Sequence, residues 1–257
     1  MNAHVRSPEI GWDLGRARAP ANDARALSLA ARLARVILDP FLAIEDASVT
    51  LSPLPREFVE RMTKHPSFAK PVRRAASSAL GLDTLTLSRD FFERLTDKPS
   101  SRLCILLVTE PADAVRATGL DLAAAILHRR IVGLVLKGDR ARVRTALGDE
   151  SFQLATQEAS MLHSCLAEID KSAHRNAAFD ESAGEGAADF FVSFGLAAYR
   201  RFIETCEPQL RELFDLRWPA LKTFPAVRSI GYFAEAHCDH LVKLLRRRAP
   251  SWSAIIG

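Results

Sequence analysis

Cysteine is scarce in this sequence, and no two cysteines form a C-x-x-C pair. The four thiols stand far apart along 257 residues, at Cys104, Cys165, Cys206 and Cys238. Such spacing is untypical of a disulfide framework or a zinc finger. Isolated cysteines usually act as small buried apolar residues in a reduced compartment. We therefore expect free thiols in a cytoplasmic protein.

Uninterrupted hydrophobic runs of membrane-spanning length are also missing. The longest apolar stretch, residues 119–136, carries His128, Arg129 and Arg130 at its centre. An arginine in the middle of a membrane helix costs roughly 2.5–3.5 kcal/mol. The stretch therefore predicts a buried helix of a globular protein, and the first twenty residues show no signal-peptide core.

Lysine is rare, with 7 lysines against 28 arginines. The formal net charge is +4 and the isoelectric point is about 9.0. The basic residues are spread along the chain, and an arginine excess with abundant alanine is typical of a GC-rich bacterial genome. A charge this small is a weak indication of a nucleic-acid partner.

Segments that alternate apolar and polar residues are few, whereas helical spacing of apolar residues recurs throughout. This pattern predicts an all-α protein with a single multi-helix globular domain. Residues 1–23 read as an irregular segment, and residues 24–257 as the helical domain, with a flexible loop at 170–186. The run "RLCILLV" at 102–108 fits a strand or a buried helix, and the lack of partner strands favours a helix.

Metal-ligating residue types cluster in "AEAHCDHL", where His237 and His240 would share one face of a helix, and the only other such cluster is "HSC" at 163–165. His237 also falls on an apolar stripe with Ile230, Leu241 and Leu244, and a packing role is the stronger prediction. The rival hypothesis is a small metal-dependent helical enzyme. The sequence holds no G-x-S-x-G, P-loop or H-E-x-x-H motif, and we predict no catalytic, metal or cofactor site.

Two basic segments, 137–144 and 241–248, are the alternative candidates for contact with nucleic acid. Arg246, Arg247 and Arg248 stand near the end of a helix predicted over 226–248. There they would oppose the negative end of the helix dipole as a solvated cap. If these segments bind nucleic acid instead, the protein is a helical nucleic-acid-binding regulator, and this is the alternative function.

The stretch "LVLKGDRARVRTALGDESFQLA", residues 134–155, holds two glycines and four basic residues. Its basic residues do not converge on one glycine-rich turn, as a phosphate cradle requires. Gly138 and Gly148 are instead placed to end helices. The stretch predicts a corner made of a helix, a short helix at 140–147 and a longer helix.

This corner, with "ALGDE" at 146–150, resembles the central signature of the SctK (YscK-type) accessory proteins of bacterial type III secretion systems. Upstream, "LSRDFFERL" at 87–95 resembles a short element of the same family. The resemblance covers roughly residues 84–160. The chain is similar to the plant-associated and rhizobial members, which diverge outside that region.

The resemblance implies a non-catalytic adaptor in the cytoplasmic sorting platform beneath the injectisome. Its implied partners are an SctQ-type pod protein and the cytoplasmic domain of an SctD-type inner-ring protein. An SctL-type stalk and the ATPase complete the platform, and the adaptor reaches the inner membrane only through its partners. No cofactor and no nucleic acid are expected. Arg140 and Arg144, on the corner, are the candidate partner-binding residues.

Overall fold

The computed structural model of the protein describes residues 20–39, 56–79, 95–171, 187–222, 224 and 229–257. The described residues confirm the all-α prediction. They contain no strand, and their only β pairing is an isolated bridge between Asp170 and Ile230. The α-helices are α1 (Pro20–Leu38), α2 (Arg56–Lys64), α3 (Pro66–Ala79), α4 (Pro99–Thr109), α5 (Ala112–Ile126), α6 (His128–Val132), α7 (Lys137–Gln153), α8 (Ala159–Leu162), α9 (Ala187–Cys206), α10 (Arg211–Arg217), α11 (Glu235–Arg248) and α12 (Pro250–Ile256).

Helix α4 lies at the centre of the fold. Pro99 opens it at a position where the missing N–H costs nothing. The run from Leu103 to Val108, the ambiguous "RLCILLV" segment, is helical as predicted and almost wholly buried. Helices α1, α9, α10, α11 and α12 all pack on α4. A helix that is apolar on every side needs such a complete cover.

Helices α5 and α9 form the most extensive helix pair of the described chain. They cross at two glycines, Gly119 and Gly195, whose backbones touch. A Cβ atom built on Gly195 would lie 1.9 Å from the carbonyl oxygen of Gly119. Only the absence of a side chain at Gly195 lets the two helices approach this closely.

The helix predicted over 119–136 is broken at Leu127 and ends at Val132. Helix α5 stops at Ile126, and Leu127 adopts φ −88° and ψ 5°. The buried ring of His128 bonds through Nδ1 to the carbonyl oxygen of Ala125 at 2.8 Å, which holds this break. After Leu127, α6 continues only to Val132.

The two glycines of the corner behave differently. Gly138 was predicted to end a helix, and that prediction is wrong, because Gly138 lies in the first turn of α7. Gly148 does interrupt α7, with φ 77° and ψ 162°. This backbone region is accessible essentially to glycine alone. Val143 and Leu147 face the core, as predicted for the short helix.

The boundaries of the described segments also differ from prediction. Helix α1 begins at Pro20, so residues 20–23 belong to it and not to an irregular segment. Helix α11 begins at Glu235 rather than near 226, and residues 229–234 are non-helical apart from a 3-10 position at Ser229. The predicted loop at 170–186 lies outside the described residues except for Asp170 and Lys171. Those two are fixed, since Asp170 pairs with Arg130 at 2.6 Å and Lys171 N–H donates to Ser229 O at 2.8 Å.

Candidate functional site

The end of α6 and its connection to α7, residues 133–136, expose apolar side chains. Val132, Val135 and Leu136 are 51%, 92% and 66% exposed, while Leu134 between them packs partly against the core. Leu134 therefore anchors the connection, while the side chains of Val132 and Val135 are exposed to solvent. Single exposed apolar residues are ordinary, but three within five positions form a patch that indicates a contact.

Cations border this apolar patch. Lys137 and Arg140, in the first turns of α7, are exposed, and neither forms an ion pair with a described carboxylate. We call Val132, Val135, Leu136, Lys137 and Arg140 the corner surface. The three apolar residues of this surface come first along the chain, the two cations follow them, and the charge of the surface is positive.

The second predicted partner-binding residue, Arg144, differs from Arg140 because it forms an ion pair with a described carboxylate. Its Nε donates to Asp149 Oδ1 at 2.6 Å, across the interruption at Gly148. This hydrogen bond raises the pKa of Arg144 and lowers the pKa of Asp149. Both side chains are largely exposed, so the pair is screened by salt and is weak. Arg142 pairs with Asp139 on the same helix. Of the basic residues in 137–144, Lys137 and Arg140 alone lack a described carboxylate partner.

His237 has the packing role that the apolar stripe predicts. Its Nδ1 accepts a hydrogen bond from the Ala234 N–H at 3.1 Å, which caps the first turn of α11. Its ring meets the buried Phe233 edge to face, and Nε2 lies 3.7 Å from Glu168 Oε2. His237 therefore stabilises the start of α11, and its Nδ1 is already engaged in a hydrogen bond.

His240 lies beside His163, which stands 77 positions earlier in the chain. Its Nδ1 contacts the carbonyl oxygen of Leu162 at 2.9 Å, and its ring stands edge-on to His163 at 5.8 Å between centroids. Burial, with the positive potential of His240, Arg247 and Lys243, lowers the pKa of His163 to about 4. Within the described ranges, no three metal-ligating side chains come together.

The prediction that all three arginines at the end of α11 form a solvated cap is wrong for Arg246 and Arg248, whereas the side chain of Arg247 is 57% exposed. Arg248 reaches the buried Asp121, Arg247 lies 3.2 Å from Glu158, and Arg246 bonds to the carbonyl oxygen of Gly257. The side chain of Arg248 is only 18% exposed. These cations serve the fold, which leaves less positive charge on segment 241–248 for nucleic acid.

A cleft of about 950 Å³ opens between the start of α4, the end of α9 and the start of α11. Cys206 and Cys238 lie in its wall, with their sulfur atoms 3.7 Å apart. This pair could not be predicted from the sequence, because 32 residues separate the two cysteines and only tertiary packing brings them together. Four carboxylates and one lysine complete the charged part of the lining: Asp97, Glu207, Glu235, Asp239 and Lys98.

No protein-family model, no curated protein and no solved structure matches this chain. Among its described helices, none combines the length and the apolar character needed to cross a membrane. The resemblance of residues 84–160 to SctK-type proteins therefore rests on the quoted motifs, of which the element at 87–95 lies outside the described residues except for Leu95.

Proposed function

We propose that this protein is a non-catalytic adaptor of a bacterial type III secretion apparatus. It links an SctQ-type pod protein to the cytoplasmic domain of an SctD-type inner-ring protein, and it contacts the SctL-type stalk and the ATPase only indirectly. In that role it works at the cytoplasmic face of the inner membrane, held there by its partners.

One coincidence carries the proposal. Residues 134–155, the stretch that resembles the centre of the SctK family, include the exposed Val135 and Leu136, and Arg140, which has no carboxylate partner among the described residues. Exposed aliphatic side chains that lie this close together do not contribute to the core, and such a patch indicates a contact surface. Here the fold turns Leu134, Val143, Leu147 and Leu154 inward and leaves Val135 and Leu136 exposed to solvent.

The chemistry of the corner surface favours a protein partner over nucleic acid. A nucleic-acid groove collects many cations that are free to meet phosphates. The corner surface instead combines three aliphatic side chains with two cations, while Arg142 and Arg144 already pair with carboxylates. Arginine beside apolar groups is typical of protein interfaces. We propose that the corner surface binds a partner segment that carries both apolar and acidic side chains.

Co-expression tests the proposal. The full chain is produced with the pod protein, or with the cytoplasmic domain of the ring protein, from the same genome, and each mixture is separated by size-exclusion chromatography. We expect co-elution with both partners. Arg140→Glu and the double variant Val135→Asp/Leu136→Asp should each weaken one of the two complexes by at least about tenfold, as for central interface residues.

Leu27→Asp, at a residue of α1 that is 70% exposed, is the matched control and should bind both partners as the wild type does. Unchanged binding by both corner variants would move the interface elsewhere and leave the adaptor role intact. If the folded protein elutes apart from both partners and instead binds DNA with a steep salt dependence, the adaptor role is wrong and the nucleic-acid-binding regulator replaces it.

A further inference from the structure

Three of the four cysteines meet where α4, α9 and α11 come together. Cys206 ends α9, Cys238 lies in the first turns of α11, and Cys104 is buried in the middle of α4. The Cys206 and Cys238 sulfur atoms are 3.7 Å apart, and all four cysteines of the chain are free thiols. Small shifts of two side chains would bring these two sulfur atoms to bonding distance.

The cleft decides which of the three thiols a reagent can reach. Cys206 and Cys238 line its wall, whereas Cys104 is fully buried behind them. Cys206 is the more exposed of the two lining thiols, since Cys238 is 8% exposed. A reagent that enters the cleft therefore reaches Cys206 more readily, and the Cys238 sulfur lies 3.7 Å from the Cys206 sulfur.

The surroundings of the pair keep both thiols protonated. The hydrogen bond with Cys104 is the largest cause that raises the pKa of Cys206 to about 12, and burial and Glu207 act in the same direction. The hydrogen bond with Cys206, burial and Asp239 raise the pKa of Cys238. Thiols of high pKa react slowly, but they also leave poorly, so a disulfide between them resists reduction once it has formed.

We propose that Cys206 and Cys238 are a redox modification site, at which a low-molecular-weight disulfide converts the two thiols into an intramolecular disulfide bond. This inference is independent of the adaptor role. The bond would join the end of α9 to the start of α11 and close the wall of the cleft.

The reaction is a two-step thiol–disulfide exchange. The Cys206 thiol releases its proton to solvent, and the thiolate attacks one sulfur of the disulfide, forming a mixed disulfide and expelling one thiolate. The Cys238 thiol then releases its proton to solvent, and its thiolate attacks the Cys206 sulfur, which breaks the mixed disulfide, forms the protein disulfide and expels the second thiolate. Two electrons pass from the protein sulfurs to the reagent, and the two expelled thiolates take up two protons.

Oxidised glutathione, added to the folded full chain under native conditions, tests the site. Intact-mass spectrometry should show a product two hydrogens lighter than the reduced protein, and non-reducing peptide mapping should join Cys206 to Cys238. The rate should rise about tenfold per pH unit near neutrality, since both thiols are protonated there. The melting temperature of the oxidised protein should exceed that of the reduced protein by about 5–10 °C.

Cys165→Ser and Cys104→Ala are the controls, and both variants should still form the 206–238 bond. Cys206→Ser and Cys238→Ser should not lose the two hydrogens, and Cys238→Ser should stop at the mixed disulfide on Cys206. A bond that includes Cys104 or Cys165, or oxidation that needs denaturant, would overturn the proposal. Peptide mapping of the wild type decides the question even where a variant fails to fold.

Discussion

Arg248 holds both carboxylate oxygens of Asp121, with Nε to Oδ2 and Nη2 to Oδ1 at 3.0 Å each. The two residues are 127 positions apart, at the end of α11 and in the middle of α5. The hydroxyl of Ser151, in α7, donates to the same carboxylate at 2.8 Å. One buried carboxylate thus joins three helices.

Arg248→Met should lower the free energy of unfolding by about 3 kcal/mol, because it leaves the Asp121 carboxylate buried without its counter-charge. Arg247→Met, at a side chain that is 57% exposed and pairs with Glu158, is the matched control and should cost less than about 1 kcal/mol. Urea denaturation measures both. The double variant Asp121→Leu/Arg248→Met should be more stable than Arg248→Met alone, and equal losses in the single and double variants would contradict this account.

Gly195→Ala and Gly119→Ala should have opposite effects, although both add one methyl group to the same helix crossing. At Gly195 the new Cβ would overlap the backbone of Gly119 at 1.9 Å, so the helices must separate at a cost of about 3 kcal/mol or more. At Gly119 the nearest atoms are 3.7 Å away, and alanine favours a helix interior by up to about 1 kcal/mol. Thermal unfolding followed by circular dichroism distinguishes the two, and similar melting temperatures would disprove the close crossing.

Gly148→Ala should destabilise the protein by about 1–3 kcal/mol, although open space surrounds Gly148. The cost comes from the backbone, since φ 77° with ψ 162° is a conformation that side chains with a Cβ avoid. Gly138→Ala, in the first turn of the same helix and with equal space around it, should be neutral or slightly stabilising. Chemical denaturation of both variants gives the comparison. A neutral Gly148→Ala would mean that α7 straightens at no cost.

Acid should destabilise the protein between about pH 6.5 and pH 4, before most carboxylates are protonated. The pKa of the buried His163 is lowered to about 4, so the unfolded chain binds the proton first. Stability is therefore complete above pH 6.5 and falls as pH drops, by up to about 1.4 kcal/mol per pH unit for this group.

Denaturation at several pH values should show a smaller slope for His163→Gln than for the wild type. Some slope should remain, because burial also lowers the pKa of His128. His65→Gln, at an exposed histidine, is the control and should keep the wild-type slope. An identical slope for His163→Gln would show that other groups cause the acid sensitivity.

The fold class, the helical state of 102–108 and the interruption at Gly148 could be predicted because each depends on short-range signals. Apolar spacing, the absence of alternating segments and a glycine within a helical pattern all act over a few residues. The break at Leu127 could not be predicted, since nothing in "AAILHRR" opposes a helix. It is held by the buried His128, whose position is set by tertiary packing.

The candidate sites could be predicted only in part, because tertiary packing decides which side chains are exposed and which distant residues meet. Arg140 and Arg144 were placed on an exposed corner from the sequence, and both are exposed there. The exposure of Val135 and Leu136 was missed, because an apolar run looks the same whether it is buried or not. The meeting of Cys206 with Cys238, and of Arg248 with Asp121, depends on contacts between residues far apart in the chain.

Helix α4 also bears on how the chain is made in the cell. Its apolar residues are covered by α1, which is synthesised early, and by α12, which is synthesised last among the described helices. A growing chain therefore carries Leu103 to Val108 without its full cover until residues 250–256 have been added. Folding of the core must wait for that point, and a nascent chain halted before it should be a substrate for chaperones that bind exposed apolar helices.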